Sequence, residues 1–320
     1  MIRLLGVELT RLRWRRAVVA LLVLAIVVPA LIAASRIWAT RPVSQDELDT
    51  VARQNAGQIA QCVKHPNRYG VRGPDAMAEQ RCTDTIVGWY TGRERMSFLS
   101  ERLGGSGMGV VAVLTALLLL AATTFVGHDW NSGSMSNQLL FEPRRGRIWA
   151  AKAIAVTLVA GVLAVIVSTA YWLGIWATIS VRDLPTAPGA LGDSLAYGLR
   201  GAGYATAATL GGYALTMLFR STVATIGVLF GVVVAGGIVI AALSLGEQWQ
   251  PQKNVSAIVK NGTMYYVDLP EACGGPQVAP DVDCNGLKEL PLWRGAAYYG
   301  VPLLIVGAGS VLSFRRRDVP

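Results

Sequence analysis

Residues 108–126 read MGVVAVLTALLLLAATTFV, nineteen positions without a single Asp, Glu, Lys, Arg or His. A helix rises about 1.5 Å per residue, so a run of this length spans roughly the 30 Å of a bilayer's hydrocarbon core. In hydrocarbon every backbone N–H and C=O must bond within the protein, which leaves helices or closed barrels. The run has no alternation of polar and apolar positions, so it reads as a membrane-spanning helix. The rest of the chain is organised around such runs. Of its 320 residues, 52% are hydrophobic and only 15% charged, against roughly a quarter charged in soluble domains. The charges are missing from long blocks, not thinned evenly.

Upstream of this run, residues 36–107 are polar, and residues 17–35 form another apolar run. Basic residues before that run, and Ala33, Ala34 and Ser35 at its end, give it some likeness to a secretory signal. Its length exceeds the usual 7–15 residues of a signal core, which favours a retained span. Downstream, apolar runs cover 149–179, 195–219, 222–245 and 294–314. The fold class expected is an all-α integral membrane protein with six spans. Only Arg220 and Ser221 separate the fourth and fifth runs, which predicts a helical hairpin.

Charge sets the expected orientation. The net charge is +9. A nucleic-acid binder would arrange its Lys and Arg as a stripe on a soluble fold; here they flank apolar runs, and no nucleic acid is expected as a partner. With the N-terminus inside, each short inner segment is basic: Arg3, Arg11, Arg13, Arg15 and Arg16; then Arg144, Arg145, Arg147 and Lys152; then Arg220; then Arg315, Arg316 and Arg317. That is the positive-inside pattern, and long translocated loops are largely exempt from it. In residues 1–16, Ile2, Leu5, Leu9 and Leu12 recur at helical spacing beside Arg and Trp14. This predicts an amphipathic helix on the membrane surface, contacting lipid; a plain basic flank is the alternative.

Two long stretches fall outside, 36–107 and 246–293, with a short outer loop between the third and fourth runs holding Arg182, Pro185, Pro188 and Asp193. The first is expected to be an ordered loop domain with a helix starting at Ser44, since Ser44 and Glu47 have capping-box spacing, and a second helical patch over 77–89. All four cysteines lie in these stretches: Cys62 and Cys82 in one, Cys273 and Cys284 in the other. The outside is the oxidising compartment. Four cysteines allow three pairings, of which pairing within each loop is the simplest. Zinc is disfavoured, because only His65 is near and no paired Cys-x-x-Cys occurs; no metal is expected.

Catalytic motifs are absent. There is no G-x-x-x-x-G-K-[ST] phosphate loop, so the chain should bind no nucleotide and should not hydrolyse ATP. Gly104, Gly105, Ser106 and Gly107 stop short of a nucleophile elbow because Met108 stands where the last Gly belongs. No ionisable residue sits near a span centre, which argues against a proton-driven carrier. Inside the bilayer, Gly227, Gly231 and Ala235 form a small-residue row on the fifth run, and Gly201 with Ala205 begins one on the fourth. Such rows serve helix packing within a chain or an interface between subunits. Ser168, Thr169, Tyr171, Trp172, Tyr204, Thr206, Thr209 and Tyr213 either line a polar–aromatic path or bond to neighbouring helix backbones.

The connector after the 108–126 run, residues 127–148, has the most distinctive composition. Asp129 is expected at a helix N-terminus, where negative charge meets the dipole. Leu139, Leu140 and Phe141 supply an apolar face, Pro143 ends it, and Arg144, Arg145 and Arg147 mark the membrane surface. A short helix with an apolar face suits docking into a soluble partner's groove. This stretch resembles the first intracellular loop of ABC-2 type exporter permeases: an acidic residue (Asp129), Gly with Ser (Gly133, Ser134), a Leu pair (Leu139, Leu140), Pro with Arg (Pro143 to Arg147) and a Lys opening the next span (Lys152). It departs in having Asp where Glu is more usual and in placing two Arg directly after the Pro. The six-span layout and basic N-terminus are also similar to that family.

The resemblance implies a permease subunit in the cytoplasmic membrane of a bacterium, exporting a hydrophobic or amphiphilic substrate. A second permease subunit and cytoplasmic ATPase subunits carrying ATP and Mg are the implied partners. The implied coupling segment contains Asp129, Trp130, Gly133, Leu139, Leu140, Phe141, Glu142, Pro143, Arg144, Arg145 and Arg147. The alternative is a membrane scaffold or signalling subunit that binds a partner through its outer loops.

Overall fold

The apolar runs and the basic N-terminal segment all fold as helices in the computed structural model, which describes residues 1–71, 78–269, 273 and 284–317. The chain forms two compact units. One is Ala34–Ser97; the other combines Met1–Ala33 with Phe98–Pro320.

The N-terminus is helix α1, Ile2–Trp14, which buries Glu8 and Leu12. Its C-cap Arg15 is extended, and α2, Arg16–Ala39, follows directly. In the Ala34–Ser97 unit, α3 (Gln45–Gln54) starts where the capping-box spacing places it: the Ser44 hydroxyl accepts from the Glu47 amide at 3.3 Å. Helices α4 (Ala56–Lys64) and α5 (Ala78–Thr91) also belong to this unit; Met77, expected in the α5 patch, lies outside the described residues. Cys62 and Cys82 are disulfide-bonded, and with Val71 and Ile86 they form a small core flanked by Ile59 and Tyr69. So small a core depends on its staple. Reducing this 20-residue link is expected to cost about 3 kcal/mol, read as earlier thermal unfolding of this unit with reductant or in Cys62→Ser/Cys82→Ser.

In the other unit, α6 is Phe98–Gly104, α7 Ser106–Asn131, α8 Ser134–Phe141, α9 Arg145–Val181, α10 Ala190–Phe219 and α11 Thr222–Ala242. After α12 (Pro251–Lys260) come two short antiparallel strands, β1 (Thr263–Tyr266) and β2 (Leu287–Leu290), then α13 (Leu292–Arg316). Cys273 and Cys284 are bonded between the strands in sequence. The strand pair lies inside residues 246–293, expected as an outer stretch with no strand in it. Beside it the Glu247 carboxylate is held below its usual range by Lys253 and by the Tyr266 amide. That contribution is complete at neutral pH and fades only as pH falls through the lowered value.

Among the described residues five helices are long and apolar enough to cross a membrane: α2, α7, α9, α11 and α13. This is a helical multi-pass membrane protein. Helix α10, the expected fourth span, is long enough at 30 residues but less apolar. The reason is its position. It packs against α7, α9 and α13, so its face is Gly, Ala, Thr and Tyr rather than Leu and Val. A Cβ on Gly201 would come within 2.4 Å of Val111, and one on Gly212 within 2.9 Å of Leu119. The Thr206, Thr209 and Thr216 hydroxyls donate to Ala202, Ala205 and Gly212 carbonyls of the same helix. Two of the hydroxyls considered for a polar path, those of Thr206 and Thr209, are thus spent on backbone.

Helix α11 behaves oppositely. Only Thr225 is buried, a Cβ added at Gly227 or Gly231 would meet no atom within 4 Å, and Ala235 is exposed. Of the two readings of this row, packing within one chain is not what α11 shows; the within-chain small-residue packing belongs to α10. Helix α11 meets the bundle at its start, where Thr222 donates to the Thr123 carbonyl at 3.1 Å. There a Cβ on Gly127 would sit 1.7 Å from Thr222 Oγ1 and 3.0 Å from its Cβ. Gly127→Ala is expected to cost about 1–3 kcal/mol by overpacking. Gly231→Ala should be neutral or slightly stabilising, as Ala is the better helix former. Thermal unfolding of the two variants side by side checks the contrast.

Candidate functional site

At one end of the bundle the C-terminus of α7, the N-terminus of α9, the C-terminus of α13 and one side of α8 share one core. Leu12, Val18, Phe125, Met135, Ile148, Tyr213 and Phe314 belong to it. Trp149 stitches the layer, donating to Ser310 Oγ at 3.0 Å, while Tyr213 donates to the Trp149 carbonyl at 2.7 Å.

Embedded in this core is a cluster of five charges. Lys152, on the second turn of α9 and fully buried, donates to Glu8 Oε2 at 2.8 Å and to Asp129 Oδ2 at 2.5 Å. Its Nζ also lies 5.3 Å from the centre of the Phe125 ring. Asp129 Oδ1 accepts from Arg11 at 2.8 Å and from Arg15 at 2.5 Å. Arg11 pairs with Glu8 at 3.3 Å as well. Three cations thus share two carboxylates. Burying any one of these groups alone would be costly, and mutual pairing offsets that cost. The cluster also grips α8: Arg11 donates to Ser134 Oγ, and Gln138 donates to Glu8 Oε1 at 3.0 Å.

Asp129 requires a correction. It sits at the C-terminal end of α7, not at a helix N-terminus, and it is fully buried. The helix dipole there disfavours a negative charge; three cations hold it in place. It has no surface to offer a partner, so its role is internal. Arg11 and Arg15, counted among the charges of the N-terminal amphipathic helix, likewise turn inward and are only about one-fifth exposed.

The other connector residues divide into an inner and an outer set. Trp130 packs edge-on against Phe314, centroids 6.0 Å apart, beneath the Arg220 guanidinium at 4.8 Å. Gly133 takes the left-handed φ of 68° that turns α7 into α8. Met135 is buried and Leu139 packs on the core. Arg145 donates to the Phe314 carbonyl at 3.4 Å and to that of Arg317, closing the C-terminus of α13. Glu142 accepts from the Arg144 amide at 3.2 Å and lies 3.8 Å from Arg147. Leu140 and Phe141 form the outer set, 81% and 90% exposed, with Pro143 and Arg144 exposed after them.

No family model, curated protein or solved structure matches this chain. The site therefore rests on its own geometry. The sequence pointed to Asp129, Ser134 and Lys152 but not to Glu8 or Gln138. A signal for Glu8 was present: it is the sole carboxylate in residues 1–16, and a Lys inside an apolar run demands an anionic partner. Among the described residues no three His, Cys, Asp or Glu come together as a metal site.

Proposed function

We propose that this chain is the transmembrane permease subunit of an ATP-driven exporter of the ABC-2 type. In this reading α10 is the fourth of six spans, both termini lie on the cytoplasmic side of a bacterial membrane, and α8 is the coupling helix. The substrate is hydrophobic or amphiphilic. A second permease subunit completes the translocation path, and separate ATPase subunits supply ATP hydrolysis with Mg.

The observation that carries this reading is the two-sidedness of α8. One side is fastened by Met135, Leu139, Ser134 and Gln138 to the core and to a charge cluster shared with α1, α7 and α9. The other end presents Leu140 and Phe141 bare. A helix that moves several others when pushed, and that offers an apolar tip, has the mechanics required of a docking handle. The basic residues of the short connecting segments, among them Arg145, Arg220 and Arg317, gather at the same end, as an inner face requires. The buried packing of α10 supports a sixth span despite its lower hydropathy.

Purification from its native membrane tests the proposal. The chain should bring down an ATPase subunit, hydrolyse no ATP alone, and stimulate or restrain hydrolysis in the complex. A chain that purifies without any ATPase, from cells that express an exporter ATPase partner alongside it, refutes the assignment.

A further inference from the structure

The inward turn of Glu8 has an effect on the opposite side of α1. Glu8 is the only carboxylate in residues 1–16, and it is sequestered with Lys152 and Arg11. The outward side of α1 is left with Arg3 and Arg13, both exposed, interleaved with exposed Ile2, Val7 and Trp14. Arg16, exposed at the start of α2, extends the set. Helix α2 is a span candidate that begins directly after the Arg15 cap of α1, so the end of α1 lies within a few ångströms of the level where the apolar span enters the bilayer.

We propose that the outward side of α1 is a docking surface for anionic phospholipid headgroups. The apolar side chains seat in the interface while the guanidiniums bind phosphate. A basic amphipathic helix of this kind gains from negative surface potential. An acidic protein groove would also accept Arg, but Ile2, at 87% exposed, and Trp14, at 78% exposed, alternate with the charges around the helix as they do in interfacial helices. The proposal is independent of the exporter reading, because it requires only that α1 meets a lipid surface.

The test uses the full chain purified in detergent. It is incubated with an equimolar mixture of phosphatidylglycerol and phosphatidylcholine of matched chains, and the retained lipids are counted by native mass spectrometry. The wild type should retain phosphatidylglycerol preferentially. Arg3→Gln/Arg13→Gln should lose that preference, by up to about fivefold per Arg removed, while Arg3→Lys/Arg13→Lys should keep most of it. Hydrogen exchange in nanodiscs should show residues 2–14 protected by phosphatidylglycerol over phosphatidylcholine. Equal retention of the two lipids, or an unchanged preference in the Gln variant, overturns the proposal. So does displacement of the lipid by millimolar inorganic phosphate, which would mark a free-phosphate site. Protection of α1 that requires a protein partner and is indifferent to lipid charge overturns it as well.

Discussion

Asp129→Ala is expected to destabilise the bundle by about 3–5 kcal/mol, the usual loss when one partner of a buried ion pair is removed. Lys152, Arg11 and Arg15 all bond to this carboxylate. Without it three cations face the single carboxylate of Glu8, and Lys152 has no solvent to retreat to. Asp129→Asn keeps the shape but points an amide at the same cations, so it should fall between. Lys152→Met alone leaves Asp129 with both arginines and should cost less than Asp129→Ala. The double variant Asp129→Ala/Lys152→Met should lose less than the sum of the two, with a coupling of about 1–3 kcal/mol. Thermal or denaturant unfolding in detergent measures the cycle. Additive losses, or a loss below about 1 kcal/mol for Asp129→Ala, would show that the cluster is solvated and not structural.

The spans were legible because hydropathy is a local property. Each apolar run carries its own signal, and the helices follow it to within a few residues. Helix α10 marks where that logic weakens. Its environment is other helices, so the premium there is on small size rather than apolarity, and Gly198, Gly201 and Gly212 take the place of Leu. The charge cluster was illegible for a different reason. Glu8 and Lys152 are 144 residues apart, and no periodicity links them. Asp129 read as an acid at the start of a new helix because it follows the end of an apolar run, yet α7 continues through Asn131 and carries it inside. The β1–β2 pair was missed because four-residue strands separated by a cysteine-bearing segment give too short a pattern to distinguish from loop. The exposed tip of α8 was legible in kind, as a Leu pair and Phe before a Pro. Only the structure divides it, sending Leu139 inward and Leu140 and Phe141 out.

That division makes Phe141→Asp the decisive functional variant. Phe141 is 90% exposed, so its replacement removes no core contact and should leave stability within about 0.5 kcal/mol of wild type. If α8 docks in an ATPase groove, an aromatic at its tip is a candidate anchor, and truncating such an anchor costs about 2–4 kcal/mol. Putting a carboxylate there adds the cost of burying a charge. The expected result is loss of ATPase co-purification, or of hydrolysis coupled to the permease, in a protein that folds and inserts normally. Leu140→Asp should act in the same direction. Asp129→Ala gives the contrasting pattern, losing stability and coupling together, because it loosens the mount rather than the tip. Two outcomes separate the possibilities. Normal coupled hydrolysis in Phe141→Asp removes α8 from the docking role, whatever the chain's partner is. A loss of coupling matched by an equal loss of stability would place Phe141 in the fold instead. Coupling lost with stability retained is the signature that a bare apolar tip on a rigid mount predicts.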